Sequence, residues 1–421
     1  MNTNYDLIVA GGGLTGVAAS VCAARRGLKV LLAEASGCLG GAISQNLVFP
    51  FMPYITTADV GGKKEKVVLS RGFFEELCKM LEEKGQLLHT SHFNSEYVKV
   101  CLDSLVEESG VDVLFHANVC KANTKDGKIE SVDIATKSGL VTFYSKYFID
   151  ATGDGDLMAF AGCEYTIGRA KDNLCQPMTL CFRVTGVDDA AFDKDFPNIT
   201  PLYRKYKEEG KIKNIREDVL LFRDMGKGVV HFNSTRIVKH NPVDPVELSK
   251  AEILARKQMV ELFEFLKENF ESFKDSTLSF SAISIGVRES RKLIGTYVLT
   301  ENDLLECRRF DDSIAVGNYD IDIHNPEGEG TSHHYFEPGQ YYTIPYRSMV
   351  PKELDNLLVS GRCLSATHEA QASVRIMPIC CCLGEAAGLA CALAAKDGRS
   401  VQSVDIDALH KMLDENGAKY F

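Results

Sequence analysis

The stretch from Ile8 to Gly16, with glycines at positions 11, 12, 13 and 16 and Glu34 closing the next apolar run, constrains this chain more than any other feature. Its context is strand, helix, strand. Tyr5–Ala10 reads as a buried parallel strand, Leu14–Arg26 as a helix with Gly27 just past its end, and Lys29–Glu34 as a second strand. In such a βαβ unit Gly11 permits the tight turn, Gly13 lets the backbone approach a pyrophosphate, and Gly16 lets helix and strand pack closely. The helix start at Leu14 and Thr15 offers unpaired N–H groups and the positive end of a dipole to the phosphates. Glu34, followed by Ala35, can accept from a ribose 2′-hydroxyl and would repel a 2′-phosphate, which favours FAD or NAD over NADP.

At 421 residues the chain exceeds one ordinary core and suggests two domains. Its 47 basic against 58 acidic side chains leave a net charge of −11, which argues against nucleic acid or an anionic membrane as the main partner. The first strand starts almost at Met1 with no charged-then-apolar leader, and no uninterrupted apolar stretch reaches bilayer length, so a cytoplasmic protein without a membrane span is expected. The 14 cysteines show no C-x-x-C, zinc or ferredoxin-like spacing. Even Cys380, Cys381 and Cys382 would point about 100° apart on a helix, so packing rather than metal binding is expected.

The order of elements distinguishes FAD from NAD. A loop with Leu39, Gly40 and Gly41 leads to helices over Gly72–Lys84 and Asn94–Ser109 and a strand around Val111–His116. Val119–Asn123, Lys128–Thr136 and Gly139–Ser145 then read as an antiparallel meander. An apolar strand from Tyr147 to Asp150 follows, ending in the turn Ala151, Thr152, Gly153. The middle of the chain has no second glycine fingerprint and no C-x-x-x-x-C. It offers strands at Met178–Thr185, Val229–Asn233, Ser279–Val287, Ser313–Asp322 and Gln340–Pro345 and a helix over Pro245–Phe270. The chain returns through a strand ending at Gly361 and Arg362, then Arg375 and a small-residue helix beginning at Met377 and Pro378.

With these motifs in hand, the chain resembles FAD-dependent oxidoreductases distantly related to fumarate reductase flavoproteins and to the heterodisulfide reductase flavoprotein subunit. The matching segments are the N-terminal fingerprint with Glu34, Gly40–Gly41, Ile149–Asp156, Ile285–Arg291, Ile344–Arg347 and the stretch from Asn356 through His368 and Pro378 to Gly388. The resemblance implies an α/β fold: a Rossmann-like, glutathione-reductase-type FAD-binding domain with an inserted α+β substrate domain. Its expected boundaries are 1–162 and 353–421 for FAD and 163–352 for the insert. FAD is expected to be non-covalent, since the Gly40–Gln45 loop has no histidine for attachment, and iron–sulfur motifs are missing.

The cofactor set expected from motif and resemblance together is Gly11, Gly13, Leu14, Thr15, Gly16, Glu34, Ala35, Leu39, Gly40, Gly41, Val119, Ala151, Thr152, Gly153, Gly361, Arg362, Arg375, Met377 and Pro378, with no metal ligand. For catalysis, Arg288 reads either as a clamp for a substrate carboxylate or as part of an interdomain ion-pair cluster with Glu289 and Arg291. His368 reads as a proton donor or a histidine satisfied by the backbone. His333 and His334 lie in a Gly- and Glu-rich stretch that reads as a solvated loop or, functionally, a lid carrying His334. Tyr346 either lines the pocket or packs. The function expected is hydride transfer between a small organic substrate and flavin, with an electron donor or acceptor other than NAD(P)H. The alternative is a flavin-binding electron-transfer subunit without turnover of its own, and a homo-oligomer is left open.

Overall fold

The computed structural model describes residues 2–421, without the side chain of Val60. Val9 and Leu7 on one face and Ile8 and Ala10 on the other are all fully buried, which is the signature of a central strand covered on both sides. This strand, β1 (Asn4–Ala10), leads through the glycine turn into α1 (Leu14–Arg25) and then β2 (Val30–Ala33). Helices α2 (Phe73–Glu83) and α3 (Ser95–Glu108) follow, and then strands β3 (Asp112–Leu114), β4 (Asn118–Lys125), β5 (Lys128–Thr136) and β6 (Gly139–Asp150). The resulting sheet runs β3-β2-β1-β6-β5-β4, and a strand from the far end of the chain, Leu357–Val359, adds beside β6. The parallel part with α1 crossing it is Rossmann-like.

One departure from the sequence reading lies in β6. The expected meander strand over Gly139–Ser145 and the apolar strand over Tyr147–Asp150 are a single strand that changes partners. Up to Tyr144 it pairs antiparallel with β5, and from Tyr144 to Asp150 it pairs parallel with β1. The polar Ser145 and Lys146 look like a break, yet their backbone lies within the β1 ladder.

The middle of the chain builds a second layer. Strands β7 (Phe182–Thr185), β8 (Leu221–Arg223), β9 (Val229–Phe232) and β10 (Thr277–Ser281) form an antiparallel sheet in the order β8-β9-β7-β10. One face packs on α4 (Asp189–Glu208) and α5 (Pro245–Asn269) around Phe182, Phe232, Phe273 and Leu262. Composition disguises α4, because Pro197 and Pro201 lie inside it, but Asp188 caps it and Phe192, Ile199 and Tyr203 give it a buried stripe. The expected strand over Ser279–Val287 ends at Ser281. Beyond it the chain peels off toward the nucleotide-binding side, where Asn46 Nδ2 donates to Ser284 O and Ile285 O. The expected strand over Ser313–Asp322 is two strands, Ser313–Gly317 and β11 (Ile321–His324), and β11 pairs with β12 (Thr331–His334). His333 and His334 therefore sit in a hairpin strand rather than a loop.

Helices α6 (His368–Val374) and α7 (Met377–Asp397) bring the chain back. Helix α7 is long and apolar enough to cross a membrane, but its apolar window is wholly buried inside the protein. Its small residues explain the burial, since a Cβ at Gly384 would stand 2.1 Å from Thr15 O and one at Gly388 would stand 2.2 Å from Ala19 O. The i, i+4 pair on α7 lies directly on the i, i+4 pair of α1. All fourteen cysteines are free thiols, and Cys380, Cys381 and Cys382 are buried in α7, as packing predicts.

Candidate active site

The glycine turn is shaped by three distinct steric demands. Gly11 has φ +98°, and a Cβ there would stand 2.5 Å from Ala151 O. At Gly16 a Cβ would meet Gly11 O at 1.8 Å, so only glycine lets α1 start this close to β1. Gly13 differs, because a Cβ would find nothing nearer than Gly41 Cα at 3.9 Å. The space in front of Gly13 is open, as a cradle requires. Gly13 begins α1 in an extended conformation with no side-chain cap and no acidic residue in the first turn, so the Leu14 and Thr15 end of the helix presents uncompensated N–H groups.

Other expected cofactor residues surround this cradle. Gly40 N donates to Gly12 O at 2.9 Å, with the buried Leu39 side chain under Gly12 and Gly41 against Gly13. Glu34 Oε2 accepts from Gly12 N at 2.6 Å and Oε1 from Ser36 N at 2.7 Å, so the carboxylate is oriented by backbone and each oxygen keeps a lone pair. Ala35 is exposed beside it, while Val119 is buried in β4. Ala151 N donates to Ala10 O at 2.8 Å, and the following turn is tied by Asp150 Oδ1, which accepts from Thr152 N and Thr152 Oγ1. Burial lifts the Asp150 carboxyl to about 6 despite these bonds. Gly361 lies where a Cβ would meet Thr15 Oγ1 at 2.7 Å. Arg362 sits beside Gly153 but is held by Asp154 at 2.8 Å and Ser290 at 3.2 Å. Met377 and Pro378 open α7, which again has neither a capping side chain nor an acidic residue in its first turn.

A second group of side chains converges beyond this cradle. Arg288 Nη1 donates to Pro177 O at 2.7 Å and Thr179 Oγ1 at 2.6 Å, and Nη2 donates to Asn233 Oδ1 at 3.3 Å. Its bonding partners are thus neutral oxygens, with no carboxylate in salt-bridge range among the described residues. Burial, then the guanidiniums of Arg375 and Arg216, push Arg288 down to about 9. Arg375 has a buried Nε without a partner among the described residues, and its nearest carboxylate, Asp322 Oδ2, is 4.0 Å away. Asp322 Oδ2 also accepts from Tyr319 at 2.8 Å and lies 3.4 Å from His324 Nε2. Burial alone would raise Asp322, but the bond from His324, the Arg375 charge and the Tyr319 hydroxyl hold it well below the usual carboxylate range. Burial first, and then the charge of Arg288, drive His324 down to about 3, so its ring is neutral. Arg236 Nη2, 3.3 Å from His324 Nδ1, fixes that nitrogen as the acceptor.

A model of the FAD dependent oxidoreductase family matches residues 6–413. The chain belongs to that family. Several solved structures are similar at low identity. A geranylgeranyl bacteriochlorophyll reductase-like protein from Thermoplasma acidophilum is 13% identical, with 98% of this chain and 83% of that chain covered and a TM-score of 0.49. The p-nitrophenol 4-monooxygenase of Pseudomonas putida is 9% identical over 99% and 84%, with a TM-score of 0.46. A myxobacterial chondrochloren halogenase is 12% identical over 99% and 79%, with a TM-score of 0.43. A search of curated proteins finds no match.

The residues of this FAD-dependent oxidoreductase fit its cofactor. An open cradle at Gly13, two uncapped helix starts and an oriented Glu34 suit a pyrophosphate and a ribose, and Gln176 Oε1 and Arg375 Nε, without partners among the described residues, offer an acceptor and a donor.

Three of the four expected catalytic side chains are engaged elsewhere. His368 Nδ1 is 2.7 Å from Glu289 Oε2, and Glu289 also meets Lys292, so His368 is locked in a buried hydrogen-bonded trio rather than satisfied by the backbone. Tyr346 donates to Val401 O at 2.7 Å inside the main core. His334 is exposed and packs edge-on against Phe336. Arg291 meets Asp156 at 2.8 Å, while the Glu289 carboxylate is taken by Gln176 N, Lys292 and His368. Arg288 therefore reaches the basic cluster without a carboxylate in salt-bridge range among the described residues, and the Asp322 charge acts on it only through space. Arg216, Tyr319, Asp322 and His324 were not singled out from sequence, although Asp322 and His324 alternate along one strand and so share a face.

Proposed function

We propose that this oxidoreductase transfers a hydride between a small carboxylate-bearing organic substrate and non-covalently held FAD. Arg288 carries this reading: it is a largely buried guanidinium bonded only to neutral oxygens and crowded by Arg375 and Arg216. A substrate carboxylate would relieve that excess positive charge and accept a charge-assisted bond. Thr179 and Asn233 hold the guanidinium plane, so little side-chain entropy is lost on binding. Bound FAD supplies the two-electron hydride acceptor or donor.

In this reading residues 1–162 and 353–421 hold the cofactor as a glutathione-reductase-type domain, which the β4–β6 meander supports, and residues 163–352 cover it. The insert contributes an antiparallel sheet rather than a second dinucleotide fold, which supports an electron partner other than NAD(P)H.

The test is an anaerobic screen that follows flavin absorbance, with saturated carboxylates offered to oxidised enzyme and unsaturated ones to reduced enzyme. A saturable change is expected, weakened about 10- to 100-fold in kcat/KM by Arg288→Ala with FAD content unchanged, corresponding to loss of about 1.5–3 kcal/mol. If Arg288→Ala lowers only thermal stability and leaves turnover per flavin intact, the clamp is wrong.

A further inference from the structure

We propose that Asp320, Asp322 and His333 form a divalent transition-metal site on the hairpin made by β11 and β12. Asp322 and His333 are direct cross-strand partners, and Asp320 stands just before β11. One ligand atom from each of the three lies within 4.8 Å of the others. His333 Nδ1 is 2.5 Å from Asp320 Oδ2 and 3.7 Å from Asp322 Oδ1.

The decisive atom is Asp322 Oδ1. The residue is only 6% exposed, and this oxygen has no hydrogen-bond partner among the described residues. A buried carboxylate oxygen without a donor is costly, and a cation between it, Asp320 and His333 removes the cost. The other oxygen is anchored by Tyr319 at 2.8 Å and by His324 Nε2 at 3.4 Å, which fixes the direction of Oδ1 in the way that outer-shell partners orient metal ligands. Arg375 approaches this anchored Oδ2 and not the ligand atom. A shared proton on His333 would account for the Asp320 contact, but it leaves Asp322 Oδ1 unpaired.

One imidazole and two carboxylates suit Zn²⁺, Fe²⁺ or Mn²⁺, and Zn²⁺ binds tightest of these to a nitrogen-containing set. His334 takes no part, because it points to the opposite face of β12. His333 instead meets two carboxylates, Asp322 on the paired strand and Asp320 just before it.

The experiment is calorimetric titration of chelator-treated, FAD-loaded protein with ZnCl₂. One Zn²⁺ per chain is expected, with saturable heat. His333→Ala should weaken binding at least 10-fold, Tyr319→Phe about 10-fold through Asp322, and His334→Ala not at all. His333 is exposed, so its variant should fold, and the visible flavin spectrum checks this. No saturable uptake, or uptake unchanged in His333→Ala, overturns the proposal and leaves Asp320 and His333 as a simple hydrogen-bonded pair.

Discussion

Gly13 and Gly16 are three residues apart in one motif, yet steric demand separates them. A β-carbon at Gly13 meets nothing nearer than Gly41 Cα at 3.9 Å, whereas one at Gly16 collides with Gly11 O at 1.8 Å. Gly13→Ala should therefore leave the stability of the apoprotein within about 0.5 kcal/mol of wild type while lowering FAD affinity, as equilibrium unfolding and flavin titration would show. Gly16→Ala should cost about 1–3 kcal/mol or more whether or not FAD is present. If both variants lose stability equally without FAD, the open cradle assigned to Gly13 is incorrect.

Among the helices, α7 carries a titratable device between its two packing glycines. Glu385 is fully buried, accepts from Phe73 N at 3.1 Å and from Asn416 Nδ2 at 3.0 Å, and so caps α2, whose own N-cap residue, Gly72, has no side chain to do so. Burial lifts its carboxyl to about 7, only partly offset by those two bonds. Because the folded-state value is raised above the ordinary 4.5, the stability linked to the proton is complete below about pH 4.5 and is lost as pH rises to about 7. Glu385→Gln should flatten this part of the pH–Tm profile and raise Tm at pH 8, an effect on the order of 2–3 kcal/mol. A profile that keeps its slope in the variant would assign the titration elsewhere. Gly388→Leu tests the packing itself, and a drop of about 1–3 kcal/mol is expected because Ala19 O leaves no room.

The whole molecule is organised around separate hydrophobic clusters, and their membership does not follow the chain in simple blocks. Met178–Ile285 surround their own core together with Leu47, whereas Leu299–Val350 pack into the same cluster as β1, α1 and α7. Asn46 joins the two sides, since its single Nδ2 reaches Ser284 O, Ser284 Oγ and Ile285 O at 3.0–3.1 Å. Asn46→Ala should speed amide exchange over 282–287 and cost about 1–3 kcal/mol locally, with β1 and β6 protected as before. Equal protection in variant and wild type would show that this link does not restrain the insert.

The sequence by itself determined the nucleotide-binding half of the protein, because its information is local. Turn, helix start and acidic strand end fall between Gly11 and Glu34, and each glycine acts on backbone a few residues away or on the strand beside it. Helices α1, α2, α3, α5 and α7 were legible for the same reason, through apolar spacing and end signals, whereas α4 was not, because Pro197 and Pro201 lie inside it. Only the tertiary structure assembled the basic cluster around Arg288. Arg288, Arg375 and the strand that carries both Asp322 and His324 come from three separate segments, and burial and neighbouring charges set the states of Arg288, Asp322 and His324. It also withdrew His368, Tyr346 and His334, since a side chain's chemistry follows the partner it finds: a carboxylate for His368, a backbone carbonyl for Tyr346, and solvent for His334.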